Sequence, residues 1–130
     1  MTNFPVPTVS LVNNRPSTTS LAIAKCFGKR HDAVLRDIRN LIIGCPENFR
    51  SHNFVETFRP VVGPNNAERK EIYFIVFFDG FILLVMGYTG KKALRMKLAY
   101  IEAFNAMKAE LEASQKVIPA DFQAVIHALI

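Results

Sequence analysis

Residues 17–42 read STTSLAIAKCFGKRHDAVLRDIRNLI, and this stretch predicts two short helices joined by a glycine turn. The hydroxyl side chains of residues 17–20 are candidate N-caps for the first helix, which Gly28 ends because glycine adopts the left-handed C′ conformation without a Cβ clash. A second, longer helix follows at once. Its apolar residues share one face at about 100° per residue, and they are Val34, Leu35, Ile38, Leu41 and Ile42.

The other face of the second helix is mainly polar and basic, and it carries Lys29, Asp32, Ala33, Arg36, Arg39 and Asn40. Two helices that meet at a glycine turn, the second basic outside, form a helix-turn-helix candidate. Arg36 and Asn40 lie one turn apart, and these side chain types suit guanine and adenine in the major groove. The alternative is two amphipathic helices that simply pack. Asp37 stands where the motif usually has a hydrophobic residue, and the turn is expected to be one residue longer than the commonest form.

The net charge of +5 is unevenly distributed along the 130 residues. Residues 1–45 carry six positive and two negative side chains, residues 46–78 carry four of each, and residues 79–99 carry four positive and one negative. Residues 100–130 carry two positive and four negative side chains. Two basic segments and an acidic tail favour a polyanion that approaches one side of the molecule.

Two runs rich in β-branched and aromatic residues, 53–62 and 70–77, flank a cluster of turn formers and predict a β-hairpin. A hairpin after a helix-turn-helix is the arrangement of a winged helix. Arg59, Arg69 and Lys70 would then be able to reach phosphates. A plain structural hairpin with solvated charges is the alternative. A short strand is also predicted at residues 9–12, before an Asn-Asn turn, and a loop is predicted around residues 44–48.

A buried helix is predicted at residues 80–86, with Asp79 as its N-cap, and a long helix at residues 90–113, capped by Thr89. Lys91, Lys92 and Arg95 lie in the first turns of the long helix, where the helix dipole disfavours cations and a bound phosphate would relieve the repulsion. Three solvated cations without a bound anion are the alternative, and the default interpretation. The core stripe of the long helix is expected to be Ala93, Leu94, Met96, Tyr100, Ile101, Phe104, Met107 and Leu111.

We expect the chain to divide into one winged-helix-like domain at residues 1–113 and a short amphipathic segment at residues 114–130. Phe122, Val125, Ile126 and Leu129 line one face of that segment, and a terminal helix this short is marginal alone. It is therefore expected either to fold back or to join the interface of a homodimer.

The sequence predicts neither an enzyme, nor a cofactor, nor a metal site. His31, His52 and His127 lie in separate segments without a carboxylate or cysteine at ligand spacing, and His31 is interpreted as a packing or capping residue. Glycine-rich phosphate loops and nucleophile elbows are missing from the sequence. The longest apolar run, 72–85, is interrupted by Asp79-Gly80 and is too short for a membrane span. Cys26 and Cys45 have no CxxC partner, which indicates reduced thiols in a cytosol.

Three blocks of the sequence resemble the Rha family of phage regulatory proteins: residues 27–41, 79–93 and 99–107. The similarity covers roughly residues 9–112, although family members often carry a further C-terminal domain, and their hairpin tip is often of the Asp-Gly-Arg type where this chain has Gly-Pro-Asn-Asn. The resemblance implies a phage or prophage protein of the bacterial cytoplasm, linked to the regulation of phage growth and to the host's integration host factor.

These observations predict an α+β, winged-helix-like domain that binds double-stranded DNA as a transcription regulator. Helix 29–42 would enter the major groove, and the residues expected at the DNA are Lys29, Arg30, Arg36, Arg39, Asn40, Arg69, Lys70, Lys91 and Lys92. The alternative is an antirepressor-like protein that binds a phage repressor or a host factor without reading DNA. Asp32 and Asp37, which interrupt the basic face, favour this second function.

Overall fold

The computed structural model describes the backbone of residues 6–129 and the side chains of residues 6–114. Strands and helices are mixed along the chain, so the predicted α+β class is confirmed. The elements are β1 (Ser10–Val12), β2 (Arg15–Thr19), α1 (Ser20–Phe27), α2 (His31–Ile43), α3 (Glu47–Asn53), β3 (Phe54–Val62), β4 (Glu68–Phe77), α4 (Phe78–Val85) and α5 (Lys91–Leu129).

One antiparallel sheet joins the four strands in the order β1-β2-β4-β3. β1 and β2 form a tight hairpin in which Val12 pairs with Arg15. Asn13 and Asn14 form its two-residue loop with φ of 53° and 60°, as a type I′ turn requires. The predicted first strand and its turn are confirmed. β2 was not predicted, because Pro16 and the hydroxyl residues after it are typical of loops and helix caps.

The two helices of the opening stretch form where predicted. The side chain of Thr19 caps α1 by accepting a hydrogen bond from the backbone N of Ala22 at 3.1 Å. Gly28 ends α1 in the left-handed conformation, with φ 66°. Three residues, 28–30, separate α1 from α2, and the two helices pack on each other. Val34 and Ile38 are fully buried, which confirms the predicted apolar face of α2.

Three helix predictions were wrong in part. Residues 47–53, expected to begin in a loop, form α3, whose polar sequence has no apolar periodicity. α4 begins at Phe78, so Asp79 lies in its first turn rather than at the N-cap, which is Phe77. α5 continues through the boundary predicted at residue 113. The predicted apolar face of residues 119–130 lies outside the residues whose side chains are described.

Aromatic rings from three helices form the centre of the core. Phe81 of α4 and Tyr100 of α5 have ring centroids 4.5 Å apart, and Phe104 lies 5.5 Å from Phe81. Phe27 at the end of α1 stacks on Tyr100 at 6.1 Å. The core side of α5 is thus confirmed at Tyr100 and Phe104, whereas Leu94, predicted in the same stripe, is 57% exposed and therefore outside the core.

The β3–β4 hairpin leaves the core as it extends. Phe54, at the start of β3, is buried, but Phe58 further along the same face is 55% exposed. Thus only the base of the hairpin packs on the helices. The tip contains the 3-10 turn Pro64–Asn66, in which Asn65 has a φ of 60°.

Candidate nucleic-acid interface

The basic side chains predicted at the DNA are all exposed in the structure, as is the polar side chain of Asn40. α2 holds Arg36 and Asn40 on its outer side because Val34 and Ile38 anchor its opposite side in the core. Arg36 and Asn40 are separated by four residues, so they lie one turn apart on the same face. This outer face of α2 is defined here by Arg36 and Asn40, and it can approach a flat or grooved surface without unfolding the domain.

The hairpin supplies cations along one flank of this face. Arg39 of α2 lines a shallow depression together with Arg69 and Lys70 of β4. Acidic residues partly offset the charge, since Asp32 and Glu71 line the same depression and Arg39 lies 3.9 Å from Glu56. This hairpin flank, comprising Arg39, Arg69 and Lys70, is the point at which the predicted α2 and hairpin residues come together.

Two further hairpin contacts shape the hairpin flank. Arg59, which the sequence also suggested as a phosphate ligand, pairs with Glu71 at 3.4 Å. The ammonium of Lys70 lies 4.5 Å from the ring centroid of Phe58, a cation–π contact that holds the side chain along the strand. Arg59 is therefore committed to an ion pair within the hairpin.

The opposite flank has one cation from the start of α5, Lys92, and one from the turn before α2, Lys29. Lys29 and Lys92 line one depression together with Tyr88, which joins α4 to α5. The ammonium of Lys29 lies 4.3 Å from the ring centroid of Tyr88. The Tyr88 hydroxyl in turn donates a hydrogen bond to Asp37 of α2 at 3.0 Å. This α5 flank, comprising Lys29 and Lys92, is fixed to α2 through a single tyrosine.

Tyr88 also explains why an acidic residue lies within α2. Burial and the neighbouring Asp37 carboxylate raise the pKa of the Tyr88 hydroxyl well above its usual value, so the hydroxyl remains a donor. Asp37 thus serves as a structural acceptor rather than an outward-facing charge. The role of Tyr88 was not predicted. Its signals in the sequence are an aromatic residue between two predicted helices and an acidic residue, Asp37, at a usually hydrophobic position of a third helix.

Two predicted residues remain apart from both flanks. Arg30 forms an ion pair with Asp32 at 3.3 Å, and both side chains are largely exposed. Lys91 is exposed in the first turn of α5 but lines neither the α5 flank nor the hairpin flank. These two side chains are therefore the weakest members of the predicted set.

His31 lies at a partly buried junction of α1, α2 and β4. Its Nε2 lies 2.9 Å from the Oγ of Ser20, and its Nδ1 lies 3.7 Å from Glu71. Burial lowers the pKa of His31, while the Glu71 carboxylate partly opposes that effect. The interpretation of His31 as a packing residue is confirmed, since it ties the start of α2 to α1 and β4.

Neither a metal centre nor a membrane span emerges from the described part of the chain. Among those residues, no three histidine, cysteine, aspartate or glutamate side chains are grouped closely enough to hold a metal ion. None of the helices within the same residues combines the length and apolarity needed to cross a bilayer.

One protein family matches most of the chain. A family model described as phage regulatory protein Rha matches residues 18–109. An uncharacterized 22.8 kDa protein of Salmonella phage P22 is 39% identical over 118 residues, which cover 91% of this chain and 57% of the relative. An uncharacterized protein of Haemophilus influenzae is 41% identical over 97 residues, covering 73% of this chain and 53% of the relative. The chain thus spans about half the length of these curated relatives. No solved structure matches significantly.

Proposed function

We propose, because the chain belongs to the Rha family of phage regulatory proteins, that it regulates transcription in the host cytoplasm by binding double-stranded DNA through α2. The proposal places the outer face of α2, with Arg36 and Asn40, in the major groove. The hairpin flank and the α5 flank would contact the phosphates on either side.

The observation that carries the proposal is the position of the two flanks around α2. At about 100° per residue, Asp37 and Leu41 lie on one side of Arg36, and Leu35 and Arg39 lie on the other. The first side faces Tyr88 and the second faces β4. Arg69 and Lys70 of the hairpin therefore border α2 on one side, and Lys29 and Lys92 border it on the other. A helix in the major groove has phosphate backbones on both sides, so this distribution of charge suits duplex DNA.

The order of elements supports a winged-helix arrangement within this proposal. α1 and α2 are followed, after α3, by the β3–β4 hairpin, and β2 pairs with β4 beside it. The strand that precedes α1 thereby fixes the hairpin relative to the two helices. In this arrangement Arg69 and Lys70 would act as a wing that contacts phosphate.

The antirepressor-like alternative retains less support. Asp37, one of two residues that favoured it, is occupied by the Tyr88 hydroxyl. Asp32 remains exposed but pairs with Arg30. If the chain does not bind duplex DNA, we infer instead that it acts by binding a protein partner such as a repressor or host factor.

The test measures binding of the full chain to duplex DNA from its own locus at several salt concentrations. Five flanking cations at five phosphates predict a slope of log K against log salt near −4.5, or about a 500-fold loss between about 50 and about 200 mM salt. Arg36→Ala and Asn40→Ala should each cost about 1–3 kcal/mol on the preferred sequence and much less on random DNA.

Lys92→Ala should weaken binding to all sequences alike and reduce the slope by about one unit. Lys108→Ala, an exposed lysine further along α5, is the matched control and should leave both affinity and slope unchanged. Undetectable duplex binding at about 50 mM salt would refute the DNA proposal and favour a protein partner.

A further inference from the structure

Tyr88 connects the core to the edge of the proposed DNA-binding face. It is only 6% exposed, and its ring packs edge-on against Phe27 with the two centroids 5.3 Å apart. Two charged groups beside the binding face also contact this tyrosine. The ammonium of Lys29 lies 4.3 Å from the ring centroid, and the carboxylate of Asp37 accepts a hydrogen bond from the hydroxyl at 3.0 Å. One buried side chain thus holds a cation at its ring and an anion at its hydroxyl.

These two contacts keep opposite charges apart. Lys29 and Asp37 line the same depression beside α2, so Lys29 is the cation that the carboxylate would meet without its tyrosine partner. Asn40 lines this depression too. A released carboxylate would prefer the ammonium to the Asn40 amide, because the attraction between two charges adds to the hydrogen bond. Such an ion pair would occupy the ammonium that the proposed function assigns to phosphate.

We propose that Tyr88 is a positioning residue of the α5 flank, whose hydroxyl occupies the Asp37 carboxylate so that the Lys29 ammonium stays available to DNA phosphate. The inference rests on the proposed function, since Lys29 meets a phosphate only if the chain binds duplex DNA. The ring contributes as well, because a cation over an aromatic face is held in place without losing its charge. Lys92 lines the next depression together with Lys29 and Tyr88, and it supplies the second cation of this flank.

Tyr88→Phe separates the role of the hydroxyl from that of the ring. The phenyl group keeps the contacts with Phe27 and Lys29 and should preserve the fold, but it has no donor for Asp37. An ion pair between Asp37 and Lys29 removes one phosphate contact, so the slope of log K against log salt should become about one unit shallower. At about 100 mM salt the affinity should fall about two- to fivefold on preferred and random duplexes alike, which is the strength of one exposed ion pair.

A double-mutant cycle with Asp37→Asn tests this account of the loss. In chains that carry Asp37→Asn, Tyr88→Phe should change neither the affinity nor the slope, because no carboxylate remains to capture Lys29. Lys29→Ala should itself give the shallower slope, and adding Tyr88→Phe to it should bring no further change. Tyr100→Phe is the matched control, since it also removes a buried hydroxyl, one that contacts Thr18 in the core, and it should leave the slope unchanged. Circular dichroism checks the folding of each variant.

Fluorescence anisotropy with labelled duplexes, one from the chain's own locus and one of random sequence, measures affinity and slope for the full chain and its variants. A parent chain that binds neither duplex would refute the proposed function and this inference with it. If the parent binds, an unchanged slope in Tyr88→Phe, or an equal loss in chains that carry Asp37→Asn, would overturn the inference alone. A loss confined to the preferred sequence would also overturn it, because the released carboxylate would then have turned to Asn40 instead of Lys29.

Discussion

Replacing Ser20 by alanine should destabilise the fold more than its size suggests. β2 pairs with β4 up to Thr19 and Ile75, and α1 begins at the next residue. On the β2 side of β4, the backbone N–H of Phe74 therefore has no strand partner. The Oγ of Ser20 accepts a hydrogen bond from this N–H at 2.9 Å and thus replaces the missing strand. The same oxygen contacts His31 Nε2, so one buried hydroxyl joins β4, α1 and α2.

The expected loss of stability in Ser20→Ala comes from the backbone N–H of Phe74, which would lose its hydrogen-bond acceptor. Ser20 is fully buried, so the N–H of Phe74 would lose its partner in a place with little access to water. A buried donor without a partner costs about 1–3 kcal/mol, and the higher helix propensity of alanine returns only about 0.5 kcal/mol. We expect Ser20→Ala to lower the free energy of unfolding by about 1–3 kcal/mol, with the Ser20–His31 hydrogen bond contributing to the upper part of that range.

Urea denaturation of the variant beside the parent chain measures this loss. Ser17→Ala is the matched control, because Ser17 is equally buried but its Oγ donates to the carbonyl of Ser10 on the exposed strand β1. Water can reach that carbonyl, so the control should lose only about 0.5–1.5 kcal/mol. If Ser20→Ala lost no more stability than Ser17→Ala, the hydroxyl would not be replacing a backbone partner, and the reasoning would be refuted.

Two further predictions concern α2. Because burial holds the pKa of His31 below its ordinary 6.5, the unfolded chain binds the extra proton more readily, and the free energy of unfolding should fall as the pH drops below about 6.5. Urea titrations at about pH 7.5 and pH 5.5 measure this fall, which should be smaller in His31→Gln. An equal fall in the variant would assign the pH dependence to other groups. Ile38 is fully buried, so Ile38→Ala should lower the free energy of unfolding by about 2–5 kcal/mol, whereas Arg36→Ala on the outer face should change it by no more than about 0.5 kcal/mol. Equal shifts of the denaturant midpoints would contradict the assignment of Ile38 to the core side of α2 and Arg36 to its outer side.

The elements that the sequence predicted correctly are those determined by interactions between residues close together in the chain. Gly28 ends α1 through its own backbone freedom, and the period of Val34 and Ile38 orients α2. The β3–β4 hairpin was predicted because two apolar runs flank a polar turn. Each of these features depends on residues a few positions apart, so no knowledge of the tertiary structure was needed.

Contacts between residues far apart in the chain could not be predicted from the sequence. β2 becomes a strand because β4 pairs with it from some sixty residues away, which overrides the preference of Ser17 and Thr18 for caps. The helical period places Leu94 at the edge of the core stripe of α5. Only the packing of α5 in the fold determines that this side chain is exposed. The pairing of Tyr88 with Asp37 likewise joins residues 51 positions apart. The nine residues of the candidate interface were predicted individually, whereas the grouping of five of them into two flanks required the fold.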